Sequence, residues 1–424
     1  MNLMKKLITT RHSIQQNYSK MRSVEGVLGN KFLFKGNLLH LKLLPHKAKY
    51  LLASTGLLVG VSLLSTKETK SFSFSLFSSS GSEGSTNAQQ ESPEKYLNLK
   101  ENSFDKNKIS YVFYPSNDPI EDRLDIKNLT HMKGAVFLAV LDGHGGSELS
   151  DFANKRLGDY IDDFYRAIKE QKGRSLSDDD TVVSAINHAF DKIENEYYNI
   201  AVELYKNGNG RLATVGSCVL VNIIYNGKLF IANLGDSKAN IFRKENSELE
   251  PVKLMYRHNS EKKREKLYLY SKFPDEPNIV VCKRPNATCC YVKGRLQPTR
   301  SLGDFHLKSA EFNDPKNDGN KRFKRSIPNF KGPYILAEPE IFIHQLSKND
   351  KYLLLATDGL SDIFTSKEVA KLLSQNADLN NILEKGLAKS AKEAKISLEQ
   401  LKTMPDGSIK RGIHDDISII LYKF

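Results

Sequence analysis

Acidic residues recur where apolar segments end. Asp142 closes VFLAVL at 136–141, Asp236 follows LFIANLG, and Asp358 closes YLLLAT. Asp415 and Asp416 stand directly before ISIILY, and Glu121 and Asp122 form another adjacent pair. One such Asp is ordinarily a helix cap or a turn residue. Their repetition points to a different use. Carboxylates gathered at the edge of an apolar core repel one another and lose hydration unless a cation neutralises them. An all-oxygen donor set favours the hard ions Mg²⁺ or Mn²⁺ over zinc. In Asp142-Gly143-His144-Gly145-Gly146 the glycines let backbone approach a ligand, and the Gly143 carbonyl could face a metal. His144 adds a group suited to proton transfer near neutral pH. No G-K-[ST] follows, so the stretch is not a phosphate-binding P-loop.

These residues need elements to hold them. The unbroken apolar run 136–141 predicts a strand buried on both faces and ended by DGHGG. Residues 217–224, the pair Asn226-Gly227 and residues 228–233 predict a hairpin, because both turn positions need positive φ. Residues 334–346 and 351–357 read as another strand pair around 347–350, and 417–422 as a last strand. Helical periodicity covers 147–169, 179–205 and 366–395. Hairpins mixed with long helices predict an α+β fold with helices packed on sheet faces. Two basic runs, 257–266 (RHNSEKKREK) and 321–325 (KRFKR), lie between these elements. Solvated surface is the expectation for both; the functional alternative is docking of an acidic substrate segment or an anionic membrane surface.

The 424 residues carry a net charge of +13. Residues 1–50 hold ten Lys/Arg against one acid, Glu25, and so account for nine of those charges. The body is only mildly basic, which removes the charge argument for nucleic acid. The basic, acid-poor residues 1–49 have the composition of a mitochondrial transit peptide. Residues 50–65 fall in a stretch of 17 uncharged residues between Lys49 and Lys67. As a helix that stretch reaches ~25 Å, a short membrane span with a Gly56/Gly60 pair for close helix contact. With the basic flank held in the matrix, the domain beyond an inner-membrane span would face the intermembrane space; a matrix location is the alternative. Residues 66–95 include a Ser-rich linker, and the folded domain is expected over 96–424. The four cysteines, Cys218, Cys282, Cys289 and Cys290, lack C-x-x-C spacing and argue against a disulfide scaffold or a zinc ribbon.

Seven stretches taken together resemble the metal-dependent serine/threonine protein phosphatases of type 2C. They are PIEDR (119–123), AVLDGHGG (139–146), ATVGSCVL (213–220), ANLGDSKA (232–239), LQPTRSLGD (296–304), LLLATDGLSD (353–362) and HDDISII (414–420). SNDPIEDR, PYILAEPEI and DKYLLLATDGL are most similar to the mitochondrial pyruvate dehydrogenase phosphatase branch. The resemblance implies a sandwich of two antiparallel β-sheets flanked by α-helices, with metals at one end. It implies that Asp142, Asp358 and Asp415 hold one ion, and that Asp142, the Gly143 carbonyl and Glu121 hold a second. Asp122 would support that set, and Asp236 and Asp362 with Asp358 match a third site. His144 matches the general acid.

The sequence departs from the family at two points. Many relatives carry a phosphate-gripping arginine four residues before Glu121, where this chain has Asn117; the pyruvate dehydrogenase phosphatase branch lacks it too. Ser361 stands where an aromatic is usual. The implied activity is Mg²⁺- or Mn²⁺-dependent hydrolysis of phosphoserine and phosphothreonine on a phosphoprotein, by water that the ions polarise. A pyruvate dehydrogenase-like target in mitochondria follows from the branch. The alternatives are a catalytically silent phosphatase-like scaffold, which predicts lost metal ligands, and a membrane-complex subunit that contacts lipid through 50–65.

Overall fold

A computed structural model describes residues 96–99, 105, 107–171, 176–283, 289–313 and 326–424. The expected transit peptide, span and linker, and the basic run 321–325, lie outside the described residues. Among the described residues no helix is long and apolar enough to cross a membrane.

The described strands are β1 (Leu97–Leu99), β2 (Ile109–Tyr114), β3 (Arg123–Asn128), β4 (Val136–His144), β5 (Gly216–Tyr225), β6 (Lys228–Leu234), β7 (Lys238–Glu245) and β8 (Glu248–Val252), followed by β9 (Val280–Cys282), β10 (Cys290–Val292), β11 (Leu302–Gly303), β12 (Glu340–Gln345), β13 (Asp350–Ala356) and β14 (Ile417–Lys423). One sheet runs β1-β3-β4-β5-β6-β12, with β11 also on β5; the other runs β2-β14-β13-β7-β8. Neighbours are antiparallel except β1 and β3, which are parallel. The chain supplies helices α1 (Glu148–Asn154), α2 (Leu157–Glu170), α3 (Asp178–Lys206), α4 (Lys263–Lys272), α5 (Asp358–Ser361), α6 (Ser366–Ser374) and α7 (Leu379–Glu393).

Alternation along β4 shows why its sequence is apolar throughout. Phe137, Ala139 and Leu141 pack with Leu149, Ile161, Ile186 and Phe190 from α1–α3. Leu138 and Val140 face the other way, into a core shared with Leu353, Leu355 and Ile420 of the second sheet. The outer face of that sheet, Leu354, Ala356 and Ile419, is covered by Val369, Ile382 and Leu387 of α6 and α7. The result is four layers, helix–sheet–sheet–helix. Each fully buried Leu, Ile, Val or Phe contributes about 1.5–3 kcal/mol through the apolar surface it removes from water.

The Asn226-Gly227 turn joins β5 and β6 as expected, with φ of 50° and 71°. The strand pair expected around 347–350 does not form. β12 pairs with β6 in the first sheet, while β13 pairs with β7 and β14 in the second. Ser347 and Asp350 do make a turn, in which the Asp350 amide donates to the Ser347 carbonyl (3.0 Å) and the Ser347 amide to the Asp350 carboxylate (2.9 Å). That turn carries the chain from one sheet to the other, and local turn chemistry is the same in either case. The periodic run 147–169 divides into α1 and α2 at Lys155–Arg156, and 366–395 divides into α6 and α7. The second break is marked by Asp378, whose carboxylate caps α7 at the Asn381 amide (2.8 Å). Cys282 and Cys290 form a disulfide across β9 and β10, a single clip rather than a scaffold.

Candidate metal centre

Strand β4 does not stop at DGHGG. It runs to His144, with Asp142 opposite Cys218, Gly143 opposite Ser217 and His144 opposite Gly216. Two residues apart on one strand, Asp142 and His144 share the face that looks toward the second sheet. Asp236 follows β6 after Gly235, and Asp358 opens α5 just beyond β13. Asp142, Asp236 and Asp358 each bring a carboxylate oxygen to one place, all within 4.8 Å of one another.

Among the described residues Arg257 and Arg411 offset only part of this concentration of charge. Burial, then Asp358, Asp122, Asp415 and Asp236, holds the Asp142 carboxyl well above the ordinary range. Burial, then Asp236 and Asp415, does the same to Asp358. Burial pushes Asp415 up to about 6, with Arg411 opposing and Asp416 reinforcing. Asp122 is raised by burial, Asp416 and Asp415, although Thr357 donates a hydrogen bond to it (2.9 Å). The buried Asp358 Oδ1 has no hydrogen-bond partner among the described residues. An orphaned carboxylate oxygen beside two further acids is the donor arrangement that Mg²⁺ or Mn²⁺ requires.

The remaining expected residues take distinct places. Glu121 is raised by burial, and the neighbouring His144 and the Gly146 amide work against that rise. A Cβ on Gly143 would overlap the Glu121 carbonyl, so glycine is what lets β4 lie against the segment carrying Glu121. Asp362 is 64% exposed at its side chain and pairs with Arg257 at 3.0 Å. It reaches the cluster as a nearby charge on Asp358. Asp416 is a clamp: its oxygens accept from the amides of Ser116 (2.6 Å), Asn117 (2.9 Å) and Glu121 (2.8 Å), and from Asn117 Nδ2 (2.9 Å). Asn117, at the position of the usual phosphate-gripping arginine, is thus committed to holding Glu121's segment.

Several working residues were not singled out by sequence reasoning. His144 Nε2 lies 2.7 Å from Asp304 Oδ2. Burial depresses the imidazole's proton affinity, but the charge and hydrogen bond of Asp304 outweigh it and leave His144 above its ordinary value. Ser301 Oγ also donates to Asp304 (2.7 Å). A Cβ on Gly216 would collide with both the Asp304 carboxylate and His144 Nε2, so this glycine makes room for their contact. Asp304 lies within LQPTRSLGD, a matching stretch to which no role was assigned. Asn259 donates to Asp236 (2.7 Å), and the Cys218 thiol lies 3.2 Å from its other oxygen. Asn259 belongs to the run 257–266, which is not the wholly solvated surface expected of it. Its first half is interior: His258 and Ser260 are fully buried, with His258 Nε2 3.1 Å from Glu340 and Nδ1 accepting from the Gly235 amide (3.2 Å). Lys262, Lys263 and Arg264 are exposed.

Comparison with known proteins identifies the family. The family model described as "Protein phosphatase 2C" matches residues 104–398. The "Probable protein phosphatase 2C 48" of Arabidopsis thaliana is 33% identical over 332 residues, covering 74% of this chain and 79% of that protein. The "Probable protein phosphatase 2C 72" of Oryza sativa is 31% identical and covers 68% and 70% respectively. Among solved structures, a serine-threonine phosphatase 2C from Toxoplasma gondii superposes with a TM-score of 0.51 at 16% identity, covering 74% of this chain and 94% of that one; this likeness concerns the fold. These matches speak to the family and not to the pyruvate dehydrogenase phosphatase branch. The chain belongs to the protein phosphatase 2C family of metal-dependent serine/threonine protein phosphatases.

Proposed function

We propose that the acidic cluster is the hydrolytic centre of an active phosphatase. The observation that carries this reading is the convergence of Asp142, Asp236 and Asp358 with the Asp358 Oδ1 left unpartnered. Asp142, Asp358 and Asp415 would hold one ion, Asp142, the Gly143 carbonyl and Glu121 a second, and Asp236 and Asp362 with Asp358 a third. Bound Mg²⁺ or Mn²⁺ would lower the pKa of water and offset charge on the phosphoryl oxygens. The protein's own groups do the rest. Asp122 and Asp416 fix the segment and strand ends that carry the ligands. Asp304 fixes His144 through Nε2. That leaves Nδ1, which has no hydrogen-bond partner among the described residues, to give its proton to the departing Ser or Thr oxygen. None of the residues expected as ligands is missing, which weighs against a silent scaffold. The test is phosphate release from a phosphoserine peptide by the purified chain. Release with Mn²⁺ and none with chelator is expected; no release at saturating Mn²⁺ would overturn the reading.

The address is a separate part of the proposal. It is supported by the acid-poor, basic residues 1–49 and the uncharged stretch around 50–65. They favour mitochondrial import, with the domain held in the intermembrane space rather than the matrix. The likeness of SNDPIEDR to the pyruvate dehydrogenase phosphatase branch supports a matrix target instead. Protease protection on isolated mitochondria decides: digestion of the C-terminal domain after outer-membrane rupture alone supports the intermembrane space. Digestion only after the inner membrane is opened supports the matrix.

A further inference from the structure

Beside the acidic cluster lies a cavity of about 550 Å³ that the hydrolysis proposed above does not use. The start of β7, the segment after β8, the N-terminal end of α4 and the first residue of α6 enclose it. Its lining includes five cations: Lys238, Lys253, Arg257, Lys262 and Arg264. Two of them have acidic partners, Arg257 with Asp362 (3.0 Å) and Arg264 with Glu340. Among the described residues Lys238, Lys253 and Lys262 form no ion pair. Lys253 and Arg264 lie over the Tyr256 ring, at 4.3 and 4.6 Å from its centroid, so one aromatic holds two cations at the cavity.

Arg257 joins the cavity to the metal centre. One side of its guanidinium reaches Asp362. Its Nε is buried without a hydrogen-bond partner among the described residues, a state that costs free energy. Like charges around one concavity attract an anion and repel one another until it arrives. The apolar part of the lining, which includes Leu254 and Met255, suits the side chains and backbone of a peptide better than a small free ion.

We infer that this cavity binds acidic side chains flanking the phosphorylated residue, so that the enzyme selects phosphoproteins whose phosphosite lies in an acidic segment. The inference rests on the phosphatase reading of the adjoining site. The phosphoryl group would enter the carboxylate cluster while a neighbouring Glu or Asp meets Arg257 and the unpaired lysines. The cationic run 257–266 thereby serves both sites: Asn259 positions Asp236, and Arg257 and Lys262 face the substrate chain.

The test uses the full chain with Mn²⁺ and two phosphoserine peptides that differ only in Glu or Ala flanks, with p-nitrophenyl phosphate as a third substrate. Wild type is expected to favour the acidic peptide by about tenfold in kcat/KM, through KM, with the preference shrinking as salt is added. In the double variant Lys253→Glu/Lys262→Glu the ratio between the two peptides should fall toward one. Binding of a fluorescent acidic peptide to metal-free protein should weaken in parallel, which reads docking without turnover. No preference in wild type, or an unchanged ratio in the variant, would overturn the inference. Unchanged peptide binding accompanied by altered inhibition by inorganic phosphate would assign the cavity to a free anion instead and overturn it as well. Loss of p-nitrophenyl phosphate turnover in wild type with peptide binding intact would count against the phosphatase reading alone.

Discussion

Strand β13 begins at Asp350 and is followed, beyond Thr357, by Asp358, and these two carboxylates have opposite characters. Asp350 is fully buried at its side chain and fully answered: it takes Arg243 Nε at 2.7 Å, His344 Nε2 at 3.0 Å and the Ser347 amide at 2.9 Å. Burial alone would raise its pKa, but these partners bring it below the ordinary range. Asp358 converges with Asp142 and Asp236, is raised by burial and then by the charge of Asp236, Asp415 and Asp362 with Arg257 opposing, and keeps an unpartnered oxygen. One end of the strand is finished by the protein; the other keeps a carboxylate oxygen without a hydrogen-bond partner among the described residues. The position of an Asp at a strand end therefore says little, whereas the balance of its partners distinguishes a structural carboxylate from a reactive one.

The comparison is tested most severely at Asp358. Asp358→Asn should lower phosphopeptide turnover by at least roughly 10³-fold while leaving the fold intact, because removing one acid also relieves repulsion. Mn²⁺ at ~100 times its dissociation constant should stabilise wild type by about 2.7 kcal/mol and the variant by much less. Near-wild-type turnover at saturating Mn²⁺, or an equal metal-induced rise in Tm, would place the reactive end elsewhere.

His144 comes next. His144→Ala should slow phosphoserine-peptide turnover by roughly 10²–10⁴-fold and p-nitrophenyl phosphate turnover by less, since that leaving group needs little protonation. Gly216→Ala should separate His144 from Asp304 and give up to a ~10²-fold loss with the same substrate bias. Equal losses on both substrates would remove the proton-donor role.

Much of this centre was legible in the sequence. Asp142, Asp236 and Asp358 each end an apolar run, and buried strands deliver their ends to a common edge. The clamp made by Asp416 was not legible, because its partners Ser116, Asn117 and Glu121 lie about 300 residues away along the chain. Asp304 was hidden for a different reason. It adopts a left-handed conformation (φ 50°) and meets His144 only because Gly216 removes a side chain from between them, a coincidence of three segments that no local pattern encodes. The crossing of the chain between β12 and β13 was misread because a Ser–Asp turn looks alike whether it joins paired strands or two sheets.

At the answered end the effects should be on stability alone. Asp350→Asn leaves Arg243 and His344 without their carboxylate and should cost about 1–3 kcal/mol of unfolding free energy. Turnover per folded molecule should stay at the wild-type value, since Asp350 stands at the far end of β13 from Asp358. A selective fall in kcat with unchanged urea midpoint would dissolve the contrast between the two ends.

The smallest expected effect is a pH dependence at another answered carboxylate, Glu340 on β12. Burial opposes its ionisation, but hydrogen bonds from His258 and Arg264 bring its pKa down to about 2. The folded value lies below the unfolded one, ~4.3, so the folded state holds fewer protons and its stability rises with pH across that interval. The contribution is fully present above the unfolded value and is lost as pH falls through the folded one. Between about pH 5 and about pH 2, Glu340→Gln should therefore lose stability less steeply than wild type, although it begins less stable at neutral pH. Urea midpoints measured across that window read the difference in slope. Parallel curves would mean that Glu340 titrates alike in both states, and that its pairing with His258 and Arg264 does not mark an answered carboxylate in the sense drawn from Asp350.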